Sequence, residues 1–190
     1  MSKAEVLERY IRMAQAAGTV VERVAKAELS VRLAALLGEE ESSKMAALSA
    51  SGWPEGLRES VEAVLASCGF EVTMARKDQS GYSWDRVRLG AASVGIVWCE
   101  KYLAETGSLV LTTGPGMGGL ASLLPEISIV LSDADGCLEE LAEYLHLAGA
   151  ALPARMTLVT GPSRTGDIEA TMTTGVHGPG KVVHFILDVD

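Results

Sequence analysis

The chain has 190 residues, 48% of them hydrophobic and 22% charged, enough apolar material for one domain with a sizeable core and too much for a disordered polymer. Its formal net charge of -9, with Lys and Arg scattered along the chain, argues against nucleic acid as a partner, which requires a basic stripe. Apolar runs fall short of the roughly 20 residues that span a bilayer, and Met1-Ser2-Lys3-Ala4-Glu5 lacks the apolar stretch of a secretory signal, so a single cytoplasmic domain over residues 1–190, without an integral membrane segment, is expected.

In chain order, Ser2 followed by Glu5 has capping-box form, and Val6, Leu7, Tyr10, Ile11, Ala14 and Ala17 recur at helical spacing until Gly18. The β-branched run from Thr19 to Val24 reads as a strand. There follow a helix near 28–37, a strand near 44–48, a Gly-Trp-Pro turn, a helix over 55–67 and a strand over 70–74. In the middle, 83–89 reads as a short helix, and 92–98, 102–104 and 108–112 as strands with no long helix between them, some of them antiparallel. A strand over 127–131, a helix over 136–148 and strands near Met156 and Val182 close the chain. Alternating strands and helices imply a mainly parallel sheet, because parallel neighbours need crossover connections. The expected architecture is an α/β fold, a three-layer α/β/α sandwich.

The densest polar chemistry lies between the last two strands, in Thr160-Gly161-Pro162-Ser163-Arg164-Thr165-Gly166-Asp167-Ile168-Glu169 and Gly175-Val176-His177-Gly178-Pro179. Glycines and carboxylates placed where strands emerge from a sheet suit ligand binding at the carboxyl ends of open α/β sheets. Ser163, Thr165 and Asp167 suit the start of a helix as caps, and Arg164 suits bidentate pairing with a carboxylate or phosphate. On such a helix Asp167 and Glu169 point to different faces, so a cooperating acid pair forms more readily with Glu105 from another loop. His177 stands in a glycine loop, which favours proton transfer over a core role, whereas His184 in a strand and His146 on a helix read as structural.

Glu105 is a lone acid at the tip of Tyr102-Leu103-Ala104-Glu105-Thr106-Gly107-Ser108. It can act as base or nucleophile, or its carboxylate can cap backbone N–H groups. Gly114-Pro115-Gly116-Met117-Gly118-Gly119 satisfies G-x-G-x-x-G, with Asp133 and Asp135 about 20 residues on. The full helix that a dinucleotide needs is missing before Pro125, which leaves a tight loop or a backbone anion nest. Cys68, Cys99 and Cys137 are widely separated and form no metal or disulfide pattern, so no metal is expected. The serine in Gly161-Pro162-Ser163 lacks the nucleophile elbow of serine hydrolases.

Three blocks resemble the LUD-domain family, and within it the lactate-utilisation protein C group. Leu103-Ala104-Glu105-Thr106-Gly107-Ser108-Leu109 is similar to the family's IAETGTL. The segment from Gly114-Pro115-Gly116 to Leu123-Leu124-Pro125 is similar to SGPGQGRLLSLLP, and 161–169 with 175–179 is similar to GPSKTADIE and GVHGP. The last block is the specific one, and the resemblance runs from about residue 8 to the C-terminus. Departures are Ser108 for Thr, Met117 for Gln and Gly166 for Ala. The resemblance implies a fold like the NagB, ribose-5-phosphate isomerase and coenzyme A transferase group, and a part in oxidising L-lactate to pyruvate beside iron-sulfur partner proteins. This chain lacks cysteine clusters, so any clusters belong to the partners and no cofactor is expected here.

On that basis Glu105, His177 and Asp167 are the expected catalytic residues. The expected ligand-binding set is Thr106, Gly107, Gly114, Gly116, Gly118, Gly161, Ser163, Arg164, Thr165 and Glu169, around a small carboxylate such as lactate. An alternative is an independent enzyme of the coenzyme A transferase or folate cyclo-ligase type with Glu105 as nucleophile. A third reading is an assembly module for the iron-sulfur partners.

Overall fold

Helix α1 (Lys3–Ala16) begins at the expected capping box: in the computed structural model the Glu5 amide donates to Ser2 Oγ at 3.3 Å, and the Ser2 amide donates back to Glu5 Oε2 at 2.7 Å. The structure describes residues 1–40, 43–50, 52–79, 81–113, 119–153, 155–166, 172–174 and 177–188. After α1 come β1 (Val20–Ala25), α2 (Leu29–Gly38), β2 (Met45–Leu48), α3 (Leu57–Ser67), β3 (Glu71–Met74), the hairpin β4 (Arg76–Asp78) and β5 (Gly81–Ser83), and α4 (Arg86–Gly90). The second half holds β6 (Val94–Trp98), β7 (Lys101–Leu103), β8 (Ser108–Thr113), α5 (Gly119–Leu123), β9 (Ile127–Asp133), β10 (Cys137–Leu138), α6 (Leu141–Ala148), β11 (Arg155–Val159), β12 (Arg164–Gly166), β13 (Met172–Thr174) and β14 (Lys181–Asp188).

Six strands form one sheet in the order β1-β14-β9-β6-β2-β3, with every neighbouring pair parallel. Its strands are apolar on both faces because both are covered. On one face Val183, Phe185 and Leu187 of β14 pack with Ile129, Leu131 and Ile96 against Leu33 and Leu37 of α2 and Val61 and Leu65 of α3. On the other, Val182 and Ile186 join Val130, Val97 and Ala47 beneath Leu7, Tyr10 and Ala14 of α1 and Ala121 of α5. A second sheet, β10-β7-β8-β11, adds Tyr102, Leu109 and Leu111 to that second core. The α/β fold with a mainly parallel sheet flanked by helices is therefore as expected.

Three local expectations are corrected. The strand near Met156 does not join the parallel sheet; β11 pairs antiparallel with β8, Thr157 opposite Leu111. The helix expected over 136–148 begins only at Leu141, because Cys137 and Leu138 pair with Tyr102 and Leu103. Gly136 lies so close to the neighbouring chain that a Cβ there would stand 2.5 Å from the Glu100 carbonyl oxygen. Residues 164–166 form a strand paired with 172–174 and not the start of a helix, so the cap roles expected of Ser163 and Thr165 do not arise.

One polar residue crosses the apolar face of β14. His184 is fully buried, its Nδ1 2.7 Å from Tyr10 Oη and its Nε2 2.7 Å from Ser132 Oγ. Either neutral tautomer satisfies both contacts, since one ring nitrogen donates and the other accepts. Tyr102 stacks edge-on against the same ring, centroids 5.0 Å apart. Burial pushes the His184 pKa down to about 3 because the charged form would be desolvated.

An unfolded imidazole titrates near 6.5, so below that pH the unfolded chain takes up a proton that the fold refuses until about 3. The network's contribution is complete above pH 6.5 and declines as pH falls. We expect stability to drop between pH 6 and 4 by about 1.4 kcal/mol per pH unit more in wild type than in His184→Gln, measured by urea melts; equal slopes would mean that His184 is protonated in the fold. Packing gives a second prediction. Helix α5 lies so near β6 that a Cβ on Gly95 would stand 1.6 Å from the Ala121 carbonyl oxygen. Gly95→Ala should cost about 3 kcal/mol, roughly 6 to 12 °C in Tm, and a thermal melt unchanged from wild type would refute the close approach.

Candidate functional site

An α-helix leaves its last carbonyls without internal partners, and at the end of α1 the third sequence block supplies one. Arg164 Nη2 donates to the Ala17 carbonyl oxygen at 3.1 Å, where a cation also meets the negative end of the helix dipole. Gly18 leaves room for that guanidinium: a Cβ there would stand 2.6 Å from Arg164 Nη2. Gly161 has φ +77, and its Cβ would lie 2.2 Å from the Ala17 carbonyl oxygen. Gly107 has φ +69, with the Ala14 amide nitrogen 2.3 Å from where its Cβ would be. Both conformations favour glycine, and both glycines let a loop lie directly on α1.

Hydroxyls join the first block to the third. Thr106 Oγ1 is 2.7 Å from Ser108 Oγ, which is 2.6 Å from Thr160 Oγ1. The Ser163 amide donates to the Pro179 carbonyl oxygen at 2.8 Å. A Cβ on Gly178 would lie 3.3 Å from Ser163 Cβ and 3.9 Å from the Leu123 carbonyl oxygen at the end of α5. The structure thus brings together Thr106, Gly107, Gly161, Ser163 and Arg164 around the last turn of α1, with the exposed His177 next to Gly178.

This cluster does not sit at the carboxyl edge of the parallel sheet, contrary to expectation. Gly18 and Thr19 precede β1, Pro179 and Gly180 precede β14, and the Lys181 amide donates to the Glu126 carbonyl oxygen just before β9. Thr160 does leave the carboxyl end of β11, but β11 belongs to the second sheet. With respect to the parallel sheet the cluster lies at the amino edge.

Glu105 is engaged elsewhere. Its Oε1 accepts the Leu141 amide at 2.8 Å and its own amide donates to the Glu139 carbonyl oxygen. The carboxylate therefore caps α6, whose N-cap residue Glu140 has no side-chain cap of its own. Glu139 pairs with Arg9 at 3.8 Å, and Arg9 lies about 12 Å along the α1 axis from Ala17. Asp167, Glu169, Gly114, Gly116 and Gly118 lie outside the described residues. Thr165 is described through its backbone, opposite Thr173.

Features that sequence reading missed lie at both edges. At the carboxyl edge a cleft of about 410 Å³ is lined by Lys26, Ser30, Glu55, Leu57, Asp133 and Leu187, with Lys26 Nζ 3.6 Å from Asp133 Oδ1. A lysine one residue past a strand was the available signal. At the amino edge, among the described residues, Thr19 Oγ1 and Ser128 Oγ are buried without a hydrogen-bond partner; hydroxyls inside apolar strand patterns were the signal there.

Among proteins similar to this chain, the uncharacterised protein YkgG of Escherichia coli (strain K12) is 40% identical over 103 residues, 51% of this chain and 45% of that protein. Lactate utilization protein C of Halalkalibacterium halodurans is 33% identical over 103 residues, 51% of this chain and 45% of that protein. The protein of the same name from Bacillus subtilis (strain 168) is 31% identical over 102 residues, 50% of this chain and 42% of that protein. The chain spans about half the length of the curated relatives it matches. A crystal structure of a DUF162 family protein from Deinococcus radiodurans shares the fold, with TM-score 0.66 at 20% identity over 98% of this chain and 99% of that one. The model of the LUD domain matches residues 7–187, from the first buried turn of α1 to the last strand of the parallel sheet, and the chain belongs to the LUD domain family.

Proposed function

We propose that the chain takes part in lactate utilisation by holding a small carboxylate, L-lactate or pyruvate, at the amino edge of the parallel sheet. The observation that carries this reading is the convergence of Ser163, Arg164 and the Gly178-Pro179 turn on the end of α1 beside an exposed His177. Relatives named lactate utilization protein C match half of the chain.

Oxidation of lactate to pyruvate removes the hydroxyl proton and, from C2, a hydrogen with its electron pair. Arg164 offers N–H groups to a carboxylate while one nitrogen stays on Ala17. His177 has the chemistry to accept the hydroxyl proton. In net terms two electrons and a second proton remain, and this reading requires iron-sulfur partner proteins that would take the electrons one at a time while the C2 hydrogen is released as a proton. With its carboxylate held by the start of α6, Glu105 serves as a cap in this reading, and no observation favours an acyl-transfer role for it.

The test is a thermal-shift titration of the purified chain with pyruvate and L-lactate. At 100 times Kd a ligand specific for the folded state adds about 2.7 kcal/mol, a rise of roughly 5 to 10 °C in Tm for a chain of this size. We expect that rise in wild type and its loss in His177→Ala. No rise in wild type, with no heat of binding by calorimetry, would remove direct substrate binding and leave a docking role.

A further inference from the structure

A sheet ends in strands whose outward N–H and C=O groups lack a ladder partner, and native edges are guarded by charge, shortness or cover. Among the described residues the two larger sheets end in β1 and β3, and in β10 and β11. Strand β1 carries Glu22 and Arg23, which pair with Arg32 and Asp188. Glu71 of β3 pairs with Arg88, and β10 is two residues long. Strand β11, Arg-Met-Thr-Leu-Val, runs for five residues with its one charge at the first position and no proline.

The surface around β11 differs in charge from the rest of the chain. From Tyr144 to Gly166 there is no Asp or Glu, the longest such run in a sequence that holds 25 of them. Along it the large apolar side chains of Leu145, Leu147, Leu152 and Leu158 stand exposed. Leu158 lies opposite Val110 of β8, and Met156 packs with Val110 and with Tyr144 of α6 on that same face. Thr157 and Val159 point to the other face, opposite Leu111 and Leu109.

We infer that β11 is the interface of a two-fold homodimer, in which it pairs antiparallel with β11 of a second copy and joins the two four-stranded sheets edge to edge. Charge selects the occupant. Two chains of net charge -9 repel each other, and the acid-free face is where they approach with least opposition. Symmetry selects the register. A two-fold axis normal to the sheet keeps each residue on its own face, so opposed residues are an even number of positions apart. The axis therefore passes through a residue, and only with Thr157 on it do all five residues find partners. Thr157 then opposes its own copy, Met156 opposes Leu158 of the second copy, and Arg155 opposes Val159, with apolar pairs in register and no like charges. Thr160, the next residue, joins the hydroxyl chain to Ser108, so each candidate site begins one residue beyond the paired strand. The inference concerns an edge of the second sheet, needs no ligand and does not rest on the lactate-utilisation reading.

Sedimentation equilibrium of the purified chain is the test. At about 100 μM wild type should show a species of twice 20.0 kDa. Thr157→Lys sets two like charges opposite each other and should weaken association about tenfold, as should Thr157→Glu. An equimolar mixture of these two variants should recover the dimer. Thr157→Cys should form an intermolecular disulfide on oxidation, because opposed Cα atoms lie about 4.5 to 5.5 Å apart, within disulfide reach. Leu158→Cys, opposite Met156, should not. Wild type, whose Cys68, Cys99 and Cys137 are free, is the control for that reaction. A wild type that stays at 20.0 kDa at about 100 μM overturns the inference. So does a dimer that keeps its strength in Thr157→Lys, or a mixture that stays monomeric while both variants melt as wild type does. If the charged variants melt lower, the cysteine pair decides: a cross-link at position 157 alone upholds the interface, and its absence, or a cross-link at position 158, overturns it.

Discussion

The end of α1 is the constraint from which the rest of this site takes its shape. Helix α1 runs against the direction of the parallel strands: Lys3 reaches Asp135 just past the carboxyl end of β9 at 3.3 Å, whereas Ala17 leads into the amino end of β1. It therefore spans the height of the sheet, and its last carbonyls emerge at the amino edge. Gly107 and Gly161 bring two loops onto its last turn at distances that no Cβ allows, and Arg164 closes the Ala17 carbonyl. The glycines of the family blocks thus have a packing reason before any ligand is considered. Their effect on a ligand would be indirect, through the loops that carry Ser163, Arg164 and His177.

The sheet beneath shows how polarity is handled inside an apolar layer. On one face of β9 and β14, Ser132 and His184 close on each other, and His184 closes on Tyr10, with both contacts at 2.7 Å. Four residues before Ser132 on the same strand, Ser128 stands next to Val182, and among the described residues its hydroxyl makes no hydrogen bond. A satisfied network fixes a core. An unsatisfied hydroxyl costs stability instead.

The elements that were legible in the sequence are those whose cause is local. The Ser2 and Glu5 box, the Gly18 stop and the apolar runs of β9 and β14 sit where spacing and turn chemistry placed them. What was not legible depends on partners far away in the chain. Strand β11 looks like any other apolar run, and only its pairing with β8, some 45 residues earlier, puts it in the second sheet. Cys137 and Leu138 fit a helical pattern and are pulled out of it by Tyr102 and Leu103. The blocks that carry the family resemblance were found, yet their place was misread. Sequence shows that a glycine is present, not that α1 lies against it, and a carboxylate such as Glu105 gives no sign of which helix start it will cap.

Position and charge together favour the amino edge for a small anion. Open parallel sheets usually bind ligands beyond their carboxyl ends, and the cleft lined by Lys26 and Asp133 lies there. Its charged lining is one cation against two carboxylates, Glu55 and Asp133, and Lys26 is already paired at 3.6 Å. A carboxylate entering it would meet more repulsion than attraction, in a chain whose net charge is already -9. At the amino edge the guanidinium of Arg164 is tied to a neutral carbonyl instead of an acid. Among the described residues Arg164 makes no ion pair, and in the proposed reading a ligand carboxylate beside it gains the attraction of a charge that the Ala17 contact leaves uncompensated.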